Sequence, residues 1–218
     1  MKRYLKNLPD HLIERYKNWK KNGYEENKSW YEKIASEGQR PSSMIISCCD
    51  SRIHVTSIFG ADLGEFFIHR NIANLIPPYN PDGDHHGTSA AVEYAVKTLR
   101  VSNIIILGHS HCGGIENGYH LCKGNRNLED TIFINKWLKI LQPAFNKVIS
   151  NNNKFSDSQG INKLEKESII TSLENLTEFP FVNNSLKTQK LSLHGLWHEI
   201  RTGSIEFLDP VSLKFKKV

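Results

Sequence analysis

Long apolar runs, cysteines and a strong charge of either sign are all scarce in this chain of 218 residues. No stretch approaches the roughly 18 consecutive apolar residues that a membrane-spanning helix needs. Only four cysteines are present and Cys48 and Cys49 are adjacent, a pattern that excludes a small scaffold stapled by disulfides. The first residues are charged and lack the apolar core of a secretory signal. We therefore expect a cytoplasmic protein whose thiols stay reduced.

The formal net charge is only +5, and the basic residues are spread along the chain. Nucleic-acid binding requires a concentrated basic face with aromatic platforms, and the sequence shows none. The hydrophobic content of 39% is typical of a globular protein, and the chain is long enough to bury a core without disulfides. The composition therefore predicts a globular protein that binds neither nucleic acid nor membrane.

Residues 1–36 are predicted to form an N-terminal helical arm, followed by a single α/β domain over residues 37–218. In the arm, Leu12, Tyr16 and Trp19 recur at helical spacing between basic residues, and Asn22-Gly23 is expected to break the helix. A basic amphipathic helix either packs on protein, from its own body or a partner subunit, or lies on a membrane surface. We expect protein packing.

From residue 43 onward, strand and helix patterns alternate. The apolar runs at 43–48, 65–69 and 103–107 are continuous, as in parallel strands that are buried on both faces. Helices are predicted from a Thr88 cap onward, over 129–149 and over about 161–179, with a polar loop between the last two. The final segment is predicted to be a hairpin with a Thr202-Gly203 turn at the sheet edge. The fold class is thus α/β, with a mostly parallel sheet flanked by helices.

Two short motifs each follow a β-branched run and carry metal-binding side chains. Cys48 ends the first run, and His109 and Cys112 follow the second. Because the carboxyl ends of parallel strands meet at one edge of a sheet, these three side chains are expected to converge. Two thiolates and one imidazole suit Zn²⁺ and leave a fourth tetrahedral position open, as in a catalytic site.

The alternatives are a closed structural zinc or buried thiols beside a satisfied histidine. A fourth ligand from Cys49 is disfavoured, since successive strand side chains point to opposite faces. Cys122 has no partner at ligand spacing, so we expect it to be a small buried apolar residue. A free Cys48 acting as the nucleophile of a cysteine hydrolase is a further option, but His109 is better explained as a ligand than as a general base.

Asp50 and Arg52 lie two and four residues after the first cysteine. Asp50 either ligates the metal and closes the site, or pairs with Arg52 and accepts a hydrogen bond from solvent at the metal. The planar guanidinium of Arg52 would hold that carboxylate ionised and oriented. The alternative is a surface ion pair of little consequence. Gly113 and Gly114 would allow the backbone to approach the ion or a bound anion.

At these residues the chain resembles the β-class carbonic anhydrases. The two zinc motifs of that family, Cys-x-Asp-x-Arg and His-x-x-Cys, are present in order. The similarity extends over about residues 35–210. It includes three further segments: Gly64-Glu65-Phe66-Phe67 and Arg70-Asn71-Ile72-Ala73-Asn74, the run from Gly87 to Ala95, and Leu193-His194-Gly195.

The resemblance implies reversible hydration of carbon dioxide to bicarbonate and a proton by a zinc-bound hydroxide. It implies a zinc ion on Cys48, His109 and Cys112, with Asp50 and Arg52 as catalytic residues. Substrate-binding positions that match are Gln39, Phe67, Ile72, Tyr94 and Gly113. The family also implies a homodimer, or a higher oligomer built from dimers, in which N-terminal helices reach across the neighbour and some of these residues come from the partner.

Two details of the resemblance concern regulation and proton transfer. Ile45 stands where members with a regulatory bicarbonate pocket usually have Trp, so the chain resembles the subgroup without that pocket. His111 is a candidate proton relay or a solvent-exposed bystander. Two other functions stay open: hydrolysis of a carbon dioxide analogue such as carbonyl sulfide or carbon disulfide, and a non-enzymatic module stabilised by zinc.

Overall fold

The computed structural model describes residues 4–125, 131–150 and 155–218. Its internal contacts divide the chain into two compact units, Met1–Arg40 and Pro41–Val218. Each unit is described by itself below. The sequence-based boundary after residue 36 stays a prediction.

The N-terminal unit is helical, as the spacing of its apolar residues indicates. It contains α1 (Asp10–Trp19) and α2 (Lys28–Glu37), neither of which has a buried residue. The expected break at Asn22-Gly23 was wrong, because Lys20–Tyr24 continues as a π-helical turn. The Asn22 side chain stabilises this continuation by donating to the Asn18 side-chain oxygen at 2.8 Å.

The second unit is built on one six-stranded sheet, which confirms the predicted α/β class. Its strands are β1 (Ser43–Cys48), β2 (Phe66–Asn71), β3 (Asn103–His109), β4 (Ser192–His198), β5 (Ile205–Leu208) and β6 (Phe215–Lys217). The order across the sheet is β2-β1-β3-β4-β5-β6, with the first four strands parallel and the last two antiparallel. The predicted terminal hairpin is therefore β4–β5, and β6 adds a strand that the sequence pattern did not indicate.

Helices cover the sheet, with α8 the longest of those described. They are α3 (Val55–Phe59), α4 (His86–Glu93), α5 (Gly113–Cys122), α6 (Phe133–Leu138), α7 (Gln142–Ser150), α8 (Asp157–Glu178) and α9 (Pro180–Lys187). Residues 129 and 130 of one predicted helix, and 151–154 of the predicted loop, lie outside the described residues. Within the described part of the chain, no helix combines the length and apolarity needed to cross a membrane.

Thr88 does not cap α4, contrary to expectation. The helix begins two residues earlier, at His86. The Thr88 hydroxyl is buried and instead bonds the side chains of His69, at 3.0 Å, and Asn71, at 3.3 Å. A tertiary contact with β2 therefore replaces the local capping bond that the sequence suggested.

The packing of α8 on the sheet fixes the geometry near the strand ends. All six residues of β1 are buried, as expected for a parallel strand covered on both faces. A Cβ on Gly108 would come within 2.7 Å of the Ile169 side chain, and one on Gly195 within 2.9 Å. The absence of these side chains lets α8 lie close to β3 and β4. This close packing brings Glu165 of α8 against the carboxyl end of β3.

Candidate metal centre

Three buried side chains converge at the carboxyl ends of β1 and β3. Ser47 pairs with Leu107, so Cys48 lies level with Gly108, one residue before His109 at the end of β3. Cys112 stands immediately before α5. One potential ligand atom from each of Cys48, His109 and Cys112 lies within 4.8 Å of the other two, and the two Sγ atoms are 3.8 Å apart.

The hydrogen bonds of His109 leave one ring nitrogen available to a ligand. Its Nδ1 lies 2.9 Å from the carbonyl oxygen of Ser110, to which it donates when it carries the ring proton. Its Nε2 is buried and has no hydrogen-bond partner in residues 4–125, 131–150 and 155–218. A buried polar atom without a partner is costly, and metal coordination would satisfy it. A bond from the other ring nitrogen to a backbone carbonyl is the usual arrangement of a metal-binding histidine.

The pKa values of the two buried thiols are shifted in opposite directions by the hydrogen bond between them. A hydrogen bond from Cys112 lowers the pKa of Cys48 to about 4, and the resulting thiolate raises the pKa of Cys112. A metal cation would remove this conflict, because it binds thiolates and displaces both protons. The donor set of two sulfurs and one nitrogen therefore fits Zn²⁺.

The other two cysteines lie outside this cluster. Cys49 is exposed, whereas Cys48 is buried, as the alternation of strand side chains predicts. Cys122 is half-buried and packs at the margin of the apolar cluster that contains Cys112. Neither joins the three ligand atoms in the described part of the chain.

Asp50 and Arg52 form a tightly coupled pair beside these ligands. Arg52 donates from Nε to Oδ1 of Asp50 at 2.9 Å and from Nη2 to Oδ2 at 2.7 Å. These bonds hold the pKa of Asp50 well below its usual range, so the carboxylate stays ionised at neutral pH. Oδ2 lies 4.0 Å from Nε2 of His109. Of the two arrangements left open by the sequence, the structure has the carboxylate paired with arginine.

Arg70 also orders the loop that follows Cys48, residues 49–52, which we call the first metal loop. The sequence analysis did not assign it this role. It extends from β2 and donates to the carbonyl oxygens of Cys48, at 2.9 Å, and Asp50, at 2.7 Å. The available signal was that Arg70 directly follows the predicted strand over 65–69, whose carboxyl end lies at the same edge of a parallel sheet as Cys48.

Glu165 is a second residue missed by the sequence analysis. It is 3% exposed, and its carboxylate accepts from the Cys112 backbone at 3.2 Å and from the Trp197 indole at 3.3 Å. Burial raises its pKa to about 7. No local motif marks this position, because the contact joins residues that are 53 positions apart in the sequence.

The expected substrate-binding residues do not all lie near this centre. Gly113 follows Cys112, and a Cβ on Gly114 would meet the Ile72 side chain at 2.8 Å, so Ile72 and Gly113 border the metal loop. Gly114 thus permits close packing with Ile72, and the expected approach of this backbone to an ion or anion stays a prediction.

Phe67 and Tyr94 lie elsewhere in the same unit. Their rings are in contact, tilted by 36° with centroids 5.8 Å apart. Phe67 pairs with Met44, four residues before Cys48. At about 3.3 Å per residue, this places Phe67 roughly 13 Å along the sheet from the ligands. Gln39 belongs to the N-terminal unit and is exposed. The functional roles of all these residues stay predictions.

Comparisons with known proteins agree with the motifs. A family model described as "Carbonic anhydrase" matches residues 43–205. Beta carbonic anhydrase 3 of Arabidopsis thaliana is 36% identical over 86% of this chain and 72% of its own length. The solved β-carbonic anhydrase CcaA has a TM-score of 0.87 and 31% identity, covering 96% of this chain and 91% of its own. A structure described as a tetrameric β-carbonic anhydrase from Sordaria macrospora has a TM-score of 0.78 and 26% identity, covering 91% and 95%.

Proposed function

Because the chain belongs to the β-class carbonic anhydrases, which hydrate carbon dioxide reversibly with zinc, we propose that Cys48, His109 and Cys112 hold the zinc ion. The convergence of their three buried ligand atoms, one of them an imidazole nitrogen that has no hydrogen-bond partner among the described residues, is the observation that supports this assignment. When bound, zinc supplies a nucleophile at neutral pH by lowering the pKa of water from 15.7 to about 7.

Asp50 and Arg52 act as the catalytic pair of this site. The ionised Asp50 accepts a hydrogen bond from the water that attacks carbon dioxide and so fixes the direction of its lone pair. Arg52 occupies both oxygens of Asp50 and also donates to the carbonyl oxygen of His111 at 2.9 Å. These bonds keep Asp50 in place, and the remaining lone pairs of its oxygens can accept the hydrogen bond from that water.

The substrate pocket is completed by a second copy of the chain. Ile72 and Gly113 border the metal loop of their own subunit and form one side of the pocket. The distance of Phe67 and Tyr94 from their own metal loop supports a role at the partner's site, as does the exposure of Tyr94, at 45%. Gln39 is assigned to bicarbonate binding across the same interface. The functional unit is therefore a homodimer or an oligomer built from dimers.

The protein is assigned to the cytoplasm. All four cysteines are free, and two of them are buried at the metal centre as reduced thiols. A metal site that depends on two thiolates requires a reducing compartment.

Stopped-flow hydration of carbon dioxide and zinc analysis of the same samples test the assignment. Asp50→Asn should retain one zinc per chain and lose about 100-fold in kcat/KM, since positioned proton acceptors contribute on that order. Cys48→Ser should lose zinc as well as activity. The matched control is Cys49→Ser, which changes a neighbouring thiol outside the cluster and should keep both.

Two outcomes would contradict the assignment. Stoichiometric zinc in Cys48→Ser would remove this cysteine from the ligand set. A zinc-loaded wild type that is inactive on carbon dioxide but hydrolyses carbonyl sulfide in a parallel assay would favour the analogue substrate.

A further inference from the structure

Beside the metal centre the backbone adopts an unusual conformation. The turn Ile72–Asn74 joins β2 to the next segment, and within it Ala73 and Asn74 have φ angles of +65° and +50°. Asn tolerates this left-handed region, but for Ala it is disfavoured by contact of Cβ with the backbone. Both residues are buried, with exposures of 0% and 1%. Such a conformation persists only where the surroundings enforce it.

Two side chains hold the turn from opposite ends. Trp137 of α6 donates its indole N–H to the carbonyl oxygen of Ile72 at 2.7 Å. The Asn71 side chain accepts from the Leu75 N–H at 2.9 Å and donates to the Leu75 carbonyl oxygen at 2.8 Å. It thereby fixes the residue that follows the turn to the residue that precedes it. The Asn71 amide is itself held by Thr88 of α4. The left-handed backbone is therefore fixed by contacts from α4, α6 and β2.

The consequence of this conformation is a contact with Cys48. The N–H of Ala73, at the centre of the turn, donates to Sγ of Cys48 at 3.4 Å. The same turn presses Ile72 against Gly114, next to the second metal loop. The Asp50 backbone is a second hydrogen-bond partner of that sulfur, from the loop that follows Cys48 itself.

We propose that the left-handed turn Ile72–Asn74 serves to aim one backbone N–H at the Cys48 sulfur, and that Trp137 and Asn71 are positioning residues for the metal centre. The inference rests on the proposed role of Cys48 as a zinc ligand. A hydrogen bond to a thiolate stabilises its lone pairs and fixes its direction. It thus limits the charge that the sulfur donates to the metal and leaves the cation a stronger Lewis acid.

Trp137→Phe tests this proposal, because it keeps an aromatic ring and removes only the indole N–H. Zinc affinity, measured by competition with a chelator, should weaken about 10-fold, because the Cys48 sulfur is no longer held in a fixed direction; this lies within the range typical for partners of metal ligands. In the cobalt-substituted protein, the sulfur-to-metal charge-transfer band should move to longer wavelength, because a thiolate that loses a donor gives up its electron more easily. Asn71→Ala, which releases the other end of the turn, should shift both quantities in the same direction.

Trp30→Phe, the same substitution at an exposed tryptophan of α2, is the matched control and should leave both quantities unchanged. Wild-type zinc affinity and an unmoved band in Trp137→Phe would overturn the proposal, whatever the change in melting temperature. If that variant fails to fold, the same two readings in Asn71→Ala decide the question. Zinc binding by the wild type, and its loss in Cys48→Ser, report separately on the ligand assignment.

Discussion

At the scale of single residues, the arrangement of Arg52 is more specific than its charge. The guanidinium makes two parallel bonds to Asp50 and a third to the His111 carbonyl oxygen, and it is partly exposed to solvent. An exposed ion pair contributes little to stability. Arg52 therefore acts mainly by orienting the Asp50 carboxylate. A planar guanidinium can do this with two parallel bonds, whereas the compact charge of a lysine cannot.

We therefore expect Arg52→Lys to retain its zinc and its melting temperature but to lose about 10- to 100-fold in kcat/KM, as is usual when an orienting partner is removed. Parallel stopped-flow and metal analyses make the measurement. Arg100→Lys, at the exposed residue that follows the π-helical segment Tyr94–Leu99, is the control. Wild-type turnover in Arg52→Lys would show that positive charge alone is sufficient.

His69 gives a pH prediction away from the metal. Burial lowers its pKa below the ordinary 6.5, and its Nε2 lies 3.0 Å from the Thr88 hydroxyl. On acidification below pH 6.5 the unfolded chain takes up this proton before the folded one, so stability is lost as the pH falls. His69→Gln does not titrate. The unfolding free energy of the variant should therefore fall further below that of the wild type at pH 8 than at pH 5.5, because only the wild type loses the contribution of His69 on acidification.

Urea unfolding at the two pH values measures this difference, in which contributions common to both proteins cancel. His11→Gln, at an exposed position of α1, should show no such trend. A deficit that is constant with pH would mean that His69 contributes through packing alone.

Predictability from sequence differs sharply among the residues of the site. Cys48, His109 and Cys112 were predictable as a group, because each follows a recognisable strand and parallel strands end together. Glu165 was not, since its position depends on how closely α8 packs at Gly108 and Gly195. A contact of that kind is set by tertiary packing and leaves no periodic signal in the chain.

At the scale of elements, continuous apolar runs predicted β1 and β3 well, because burial on both faces demands them. The predicted burial of the strand over 65–69 was wrong, since β2 lies at the edge of the sheet and is only partly buried. Helix boundaries were less accurate. The π-helical segments Lys20–Tyr24 and Tyr94–Leu99 extend α1 and α4. The spacing of apolar residues does not change there, so the sequence gives no signal for them. Thr88 looked like a cap, but its hydroxyl bonds β2 instead. A residue with good capping chemistry thus took a tertiary role.

The N-terminus of α8 allows a local test of stability. Ser156 accepts from the Gln159 N–H at 3.3 Å while the Gln159 side chain accepts from the Ser156 N–H at 2.9 Å, which forms a capping box. Ser156→Ala should reduce the unfolding free energy by about 1 kcal/mol. Activity at 25 °C should be unchanged, because the helix remains packed along its length.

Chemical unfolding followed by far-ultraviolet circular dichroism measures this loss. Ser158→Ala alters an exposed serine of the same first turn that makes no capping bond within the described residues, so it should be nearly neutral. Equal losses in the two variants would contradict the assignment of the cap.

At the scale of the whole molecule, the arm carries apolar side chains that its own unit leaves uncovered. Leu8 is 66% exposed, Tyr16 58%, and Leu12 and Trp19 44% each. Apolar groups grouped on one element in this way mark an interaction surface. The chain pattern of residues 1–36 indicated an amphipathic arm but did not identify what covers it. Together with the distant Phe67 and Tyr94, these residues favour a second copy of the chain as the partner.

Leu12→Glu tests this surface, because it places a charge where the partner would bury an apolar side chain. Burial of one leucine contributes about 1.5–3 kcal/mol, so the dissociation constant of the dimer should rise by at least about 10- to 100-fold. Analytical ultracentrifugation over a concentration series measures this constant. His11→Glu adds the same charge at the adjacent exposed position and should dissociate far less. Hydration activity per chain should fall with the dimer population, since the pocket we propose takes residues from both subunits. A monomeric Leu12→Glu protein with full activity would show that one chain forms a complete site.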